Sequence, residues 1–162
     1  MKRSRSYEHS FNDKKKHREQ EWKREHNAGG FKCSHCKQWV SINGHMGTAN
    51  RNHCPLCLWS KHVDEQKGDR EATCLGGMRP IGLTFKHEGW ERQGELMLVH
   101  ECADCQKLSI NRIARDDMND GILAIYNASH TDHRLSSMLK QQGVYLLGVD
   151  DEREVRMQLF GR

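Results

Sequence analysis

Apolar material is scarce in this chain. Hydrophobic residues make up 35% of its 162 residues and aromatic residues 7%, against 30% charged, and the mean hydropathy is -0.92. A chain this polar can bury little apolar surface against the conformational entropy of folding. A source of stability beyond a hydrophobic core is therefore needed. No run approaches the ~20 apolar residues of a membrane-spanning helix, and no apolar stretch follows Met1-Lys2-Arg3-Ser4-Arg5-Ser6, so no secretory signal is read there. A disulfide framework is also disfavoured. The cysteines number seven, an odd count, and their spacing suits thiolate ligands in a reducing compartment. These absences point to a cytoplasmic protein with no membrane partner and no evident small-molecule substrate.

Net charge is missing from most of the chain. Residues 1 to 26 carry nine Lys/Arg and five Asp/Glu, whereas the other 136 residues carry seventeen of each. The excess positive charge thus belongs to an N-terminal arm, residues 1–30, that contains Lys2, Arg3, Arg5, Lys14, Lys15, Lys16, Arg18, Lys23 and Arg24. Residues 12–26 suit a solvated helix ended near Gly29-Gly30. Basic arms of this kind commonly bind nucleic acid.

The strongest chemical signal is a pair of C-x-x-C motifs, Cys33-Ser-His-Cys36 and Cys54-Pro-Leu-Cys57, separated by seventeen residues (37–53). That spacing predicts a structural zinc site of four thiolates, which leaves no open position for catalysis. Zinc binding would add its free energy to folding and offset the weak core. A redox dithiol would need one exposed pair in a thioredoxin-like setting, which is not evident.

A second site is incomplete. Cys102 and Cys105 repeat the spacing, and Cys33 to Asn43 matches Cys102 to Asn111 with one residue skipped, including a shared Ser-Ile-Asn. Cys74 is the remaining cysteine. His100, His87 and the pair His130/His133 are open alternatives for a fourth ligand: His100 would share a face of an extended strand with Cys102, and His130 and His133 have ligand-like spacing too.

The expected fold is a small α+β protein of tandem zinc-ribbon or treble-clef-like modules with short hairpins and helices. The first module spans 31–68, the second 69–127, and an α/β extension 128–162. Strands are expected at Phe31-Lys32, Trp39 to Ile42, Leu96 to Val99 and Val144 to Val149. Short helices are expected at Leu58 to Val63, at 132–142 with Asp132 as N-cap, and after Asp150-Asp151-Glu152. Gly121 to Tyr126 suits either state.

Arg51-Asn52-His53-Cys54-Pro55, continued by Leu56 to Asp64, resembles the bacterial RNHCP family, which takes its name from that pentapeptide. Gly68-Asp69-Arg70 before Cys74, His100-x-Cys102-x-x-Cys105 and Asn111-Arg112-Ile113-Ala114-x-Asp116-Asp117 extend the likeness over residues 30–120. The resemblance implies Cys33, Cys36, Cys54, Cys57, Cys74, Cys102 and Cys105 as zinc ligands. It supplies fold and metal more than function.

The functional expectation is a non-catalytic zinc protein that binds RNA, most naturally ribosomal RNA beside ribosomal proteins. The arm would track phosphates, joined by Arg51, Lys61, His62, Lys67 and Arg70 around the second knuckle, and Trp22, Trp39 and Trp59 could stack on bases. A protein-interaction adaptor is the main alternative. An HNH-like nuclease is suggested by Asn43-Gly44-His45, Asn50 to His53 and Lys61-His62, but no carboxylate lies between the knuckles to help hold a catalytic metal.

Overall fold

The computed structural model describes the backbone of residues 4–42, 50–87 and 93–161, and side chains within them except at 4–11, 87 and 93. Lys2, Arg3 and Asn43-Gly44-His45 lie outside the described residues, as do the side chains of Arg5 and His87. The chain is a small α+β fold. Helix α1 (Ser4–Asn27) precedes a hairpin of β1 (Gly30–Lys32) and β2 (Trp39–Ser41). Strands β3 (Ser60–Lys61), β4 (Gly77–His87), β5 (Gln93–Cys102) and β6 (Leu108–Arg112) form an antiparallel sheet in that order. Helices α2 (Asn119–Ser129), α3 (His133–Gln141) and α4 (Glu152–Phe160) follow.

The sheet is the frame. Strand β5 is central to its long pairings, and its residues are buried on both faces: Leu96 and Leu98 pack with Ile122, Tyr126, Val155 and Leu159 of α2 and α4, while Val99 packs with Leu139 of α3. A strand covered on both sides reads as a continuous apolar run, which is why Leu96 to Val99 was legible. A separate, smaller core of Phe31, Val40, Cys33 and Cys54 sits under the hairpin, with Trp22 of α1 against it.

Several expected elements form as expected. Asp132 accepts from Leu135 N at 2.8 Å and caps α3, and Gly143 stands past its end at φ 77. The ambiguous Gly121 to Tyr126 segment lies in α2. Two expectations fail. Leu58 to Val63 is not a helix: Leu58 takes φ 62 as the knuckle closes, a left-handed turn that cannot begin a right-handed helix, and Ser60–Lys61 pairs instead with Gly77 and Met78. Val144 to Val149 is not a strand: β3 pairs with β4 only at Gly77 and Met78, and this segment meets β4 farther along without forming a ladder. The segment crosses the sheet as a strap, with Leu147 N donating to Leu83 O at 2.9 Å. Gly82 makes room for it, since a Cβ there would sit 2.4 Å from Leu146 Cδ1.

Two candidate metal centres and the network between them

Three knuckles share one backbone design. In each C-x-x-C, the residue after the second cysteine is left-handed: Lys37 at φ 65, Leu58 at φ 62 and Gln106 at φ 63. Its N–H donates to the carbonyl of the first cysteine, at 3.1 Å in Lys37 to Cys33 and 2.9 Å in both Leu58 to Cys54 and Gln106 to Cys102. The first cysteine in turn donates its N–H five residues ahead, to Gln38, Trp59 and Lys107 at 2.8, 2.9 and 2.9 Å. The tight turn lifts both thiols of each pair to one side. None of the three left-handed positions is glycine, although this backbone costs an ordinary residue ~1–2 kcal/mol.

The first centre gathers Cys33, Cys36, Cys54 and Cys57, whose sulfurs lie within 4.8 Å of one another. Cys33 Sγ is 3.5 Å from Cys57 Sγ, and Cys36 Sγ is 3.6 Å from Cys54 Sγ. Burial pushes the Cys54 and Cys57 thiols up, whereas the Gln38 backbone hydrogen bond holds Cys36 down at about 7. Four packed thiolates repel one another and need a cation at their centre. The closed tetrahedral set of four sulfur donors suits Zn²⁺.

The second centre is His62, Cys74, Cys102 and Cys105, again within 4.8 Å. Cys74 Sγ lies 3.7 Å from Cys102 Sγ, and His62 Nδ1 lies 3.3 Å from Cys105 Sγ. Burial pushes the Cys74 thiol up to about 12 and lowers the His62 pKa, which favours the neutral imidazole a metal requires. Gly76 closes the site tightly, since a Cβ there would lie 2.8 Å from Asp104 Oδ2 and 3.1 Å from Cys102 Sγ. Three thiolates and one imidazole also suit zinc.

His62 replaces the histidines expected from sequence. His100 is fully buried, its Nε2 2.7 Å from Leu58 O and its Nδ1 2.9 Å from Asn111 Nδ2, and burial lowers its pKa to about 3. It is a neutral core residue joining the sheet to the second knuckle. His130 stacks on Tyr126, and His133 is exposed at the start of α3. His62 lies in a buried run, Ser60 to Val63, but the residues around it in sequence carry no mark of a ligand.

Between the centres lies a buried ionic network. Arg51, 3% exposed, sends Nη1 to both carboxylate oxygens of Asp116 at 2.7 and 2.8 Å, Nη2 to Asp117 Oδ1 at 2.8 Å and Nε to His53 O at 3.0 Å. Asp117 Oδ2 also meets His53 Nε2 at 2.8 Å and accepts from Ala114 N at 2.7 Å. The pentapeptide Arg51 to Pro55 and the Asp116-Asp117 pair, 65 and 66 residues apart, thus form one hub.

The sequence model of the RNHCP domain matches residues 28–123. The chain belongs to the RNHCP family. No curated protein and no solved structure matches it. The RNHCP match contains both candidate metal centres and the Arg51 hub, and leaves all of α1, α3 and α4 outside.

The residues expected to touch nucleic acid divide sharply. Within the RNHCP domain, Arg51 is engaged in the hub. Lys61 is buried over the Trp22 ring at 5.0 Å and 3.9 Å from Glu25 Oε2, and burial lowers its pKa. Arg70 donates Nη2 to Asn50 O at 2.7 Å and sets Nε 3.7 Å from Asp64. On α1, Lys14, Lys16, Lys23 and Arg24 are exposed and Lys15 is half-exposed, with Lys23 2.7 Å from Glu19. Arg18 reaches Asp104 of the third knuckle at 2.5 Å and Cys74 O at 3.4 Å. Of the tryptophans, Trp22 packs on Phe31, Trp59 stacks on His35 at 4.5 Å, and Trp39 is 50% exposed.

Proposed function

We propose that this RNHCP protein is a non-catalytic RNA-binding protein whose scaffold is set by two zinc ions and whose natural surface is ribosomal RNA with its proteins. Cys33, Cys36, Cys54 and Cys57 would hold one zinc, and His62, Cys74, Cys102 and Cys105 the other. Both sets supply four protein ligands, so the metal's chemistry is structural and no position is left for substrate.

One observation carries the RNA reading. Helix α1 is clamped at its C-terminal half to both metal centres, by Trp22 on the first and Arg18 on the second, while the described side chains ahead of Arg18 are exposed or half-exposed. A helix with Lys14, Lys15, Lys16 and His17 in succession has no packing reason to be cationic on every side. Phosphate contacts do need such a surface.

Deleting residues 1–17 keeps Arg18 and the docked half in place. On this reading the deletion weakens binding to single-stranded RNA and flattens the salt dependence by about 2 in log–log slope, because each phosphate neutralised on a single strand contributes ~0.7. Unchanged affinity and slope would turn the assignment toward a protein-binding adaptor. Sedimentation with ribosomes from native lysate, with and without ribonuclease, tests the ribosomal part.

A further inference from the structure

A groove of about 740 Å³ opens beside the hub, on the side of β6, the edge strand of the sheet. Its volume falls within the range of small-ligand sites. One wall is Asn50 with the first three residues of the family signature, Arg51 to His53, and the other is β6 with Met97 of β5. The signature therefore does two things: Arg51 and His53 turn into the hub, and Asn52 faces the groove.

Asn52 is the informative residue. It is 5% exposed, yet its side-chain amide makes no hydrogen bond among the described residues, while its backbone oxygen accepts from Lys61 N and Ser60 Oγ. The amide is not sealed off from the groove, so water or a ligand there supplies its hydrogen bonds. Around it stand further polar groups with spare capacity. Ser109 makes no side-chain hydrogen bond among the described residues, and Asn111 uses its Nδ2 on His100 and keeps Oδ1. Met97, Leu108, Ile110 and Val144 add apolar surface, with Ile110 40% exposed. Lys67, Lys86, Lys107 and Arg112 line it against Asp64 and Glu65, with Lys107 paired to Glu65 at 2.8 Å and Arg112 to Glu95 at 2.5 and 2.7 Å.

Amides read base edges, apolar side chains take a planar face, and lysines take phosphate. We propose that this groove receives an unpaired RNA nucleotide, its base held by the Asn52 amide and the apolar lining and its phosphate by the lysines. This rests on the RNA-binding reading and deepens it: the arm would supply sequence-independent attraction and the groove base-dependent affinity.

The test uses the full-length zinc-loaded chain and two probes of equal length, a short unstructured RNA and a ribose-phosphate oligomer without bases. RNA is expected to bind about tenfold more tightly than the abasic oligomer, the effect of one well-held base. Asn52→Ala should remove that difference and leave the salt slope unchanged. In the unsubstituted chain, the methyl resonances of Met97 and Ile110 should shift with RNA and stay still with the abasic oligomer. Equal affinities with unmoved methyls overturn the groove while leaving the arm's role intact. Failure of both oligomers to bind overturns the groove and the RNA reading together. Methyl shifts produced by an extended peptide and not by RNA also overturn it, and reassign the β6 edge to a protein partner.

Discussion

Arg51 separates two views of the signature peptide, an RNA contact or an internal staple, and its replacement by alanine decides between them. The guanidinium side chain is 3% exposed, and Asp117 opposite it is fully buried. Removing it strands a buried carboxylate that His53 and Ala114 alone must then support. Breaking a buried pair from one side costs about 3–5 kcal/mol. Asp116 is 31% exposed and can rehydrate, which places the expected loss near the lower end, about 3 kcal/mol. Arg51→Lys keeps a charge but loses the fork that serves Asp116, Asp117 and His53 O at once, so it should cost about 2 kcal/mol. Urea unfolding in saturating zinc measures both. With a slope of about 1.5–2 kcal/mol per molar, Arg51→Ala lowers the midpoint by roughly 1.5–2 M. Asp117→Ala should cost a similar amount, and the double variant less than the sum. A loss under about 1 kcal/mol with both metals retained, together with uniformly weaker RNA binding, would refute the staple.

Metal analysis of the purified chain should return two zinc ions, and His62→Ala should lower this to one; two retained ions would show that His62 is not the fourth ligand. Lys37→Gly and Gln106→Gly, at exposed left-handed positions (φ 65 and 63), should each stabilise the protein by about 0.5–1 kcal/mol in thermal or urea unfolding, and destabilisation would contradict the knuckle geometry. Trp22→Ala, at a half-buried position against Phe31, should cost about 1–2 kcal/mol and speed tryptic cleavage at Lys23 and Arg24, whereas unchanged proteolysis would mean α1 is not held by that contact.

What was legible in the sequence was local. A C-x-x-C knuckle is a property of six consecutive residues, so all three could be read from spacing alone. The Asp132 cap of α3 and the Gly143 stop are equally short-range. Long-range assembly was not legible. His62 reaches Cys105 across 43 residues, and nothing in its neighbours distinguishes it from the ten other histidines. His100 was a candidate because it shares a strand with Cys102, but its side chain is claimed by Leu58 O in the core. The charge of Arg51, Lys61 and Arg70 suggested a phosphate-binding patch, yet composition cannot show that Asp116, Asp117, Glu25 and Asp64 await them. The helix of the arm was legible as solvated; its docking was not, because it depends on Trp22, Arg18 and Glu25 scattered along a polar surface.

The placement of His62 also changes what the two modules are. Strand β3 and His62 follow directly from the second knuckle of the first centre, yet β3 pairs with β4 and His62 completes the second centre. His100 on β5 returns the link by bonding Leu58 O, the residue next to Cys57. The hub ties Asn50 to His53 to the entry of α2, and α1 lies against both centres. A cut beyond His62 takes a ligand from the second centre, and a cut at Leu58-Trp59, which leaves each centre its four ligands, parts Cys54 N from Trp59 O and Asn52 O from Lys61 N in the chain. A chain with few apolar residues therefore adds interlocked fixed points, polar or metal-binding, to the packing of its sheet and helices. The resulting rigidity is what an RNA-binding role would use, since it fixes the root of a cationic helix and the walls of a groove on one body before any partner arrives.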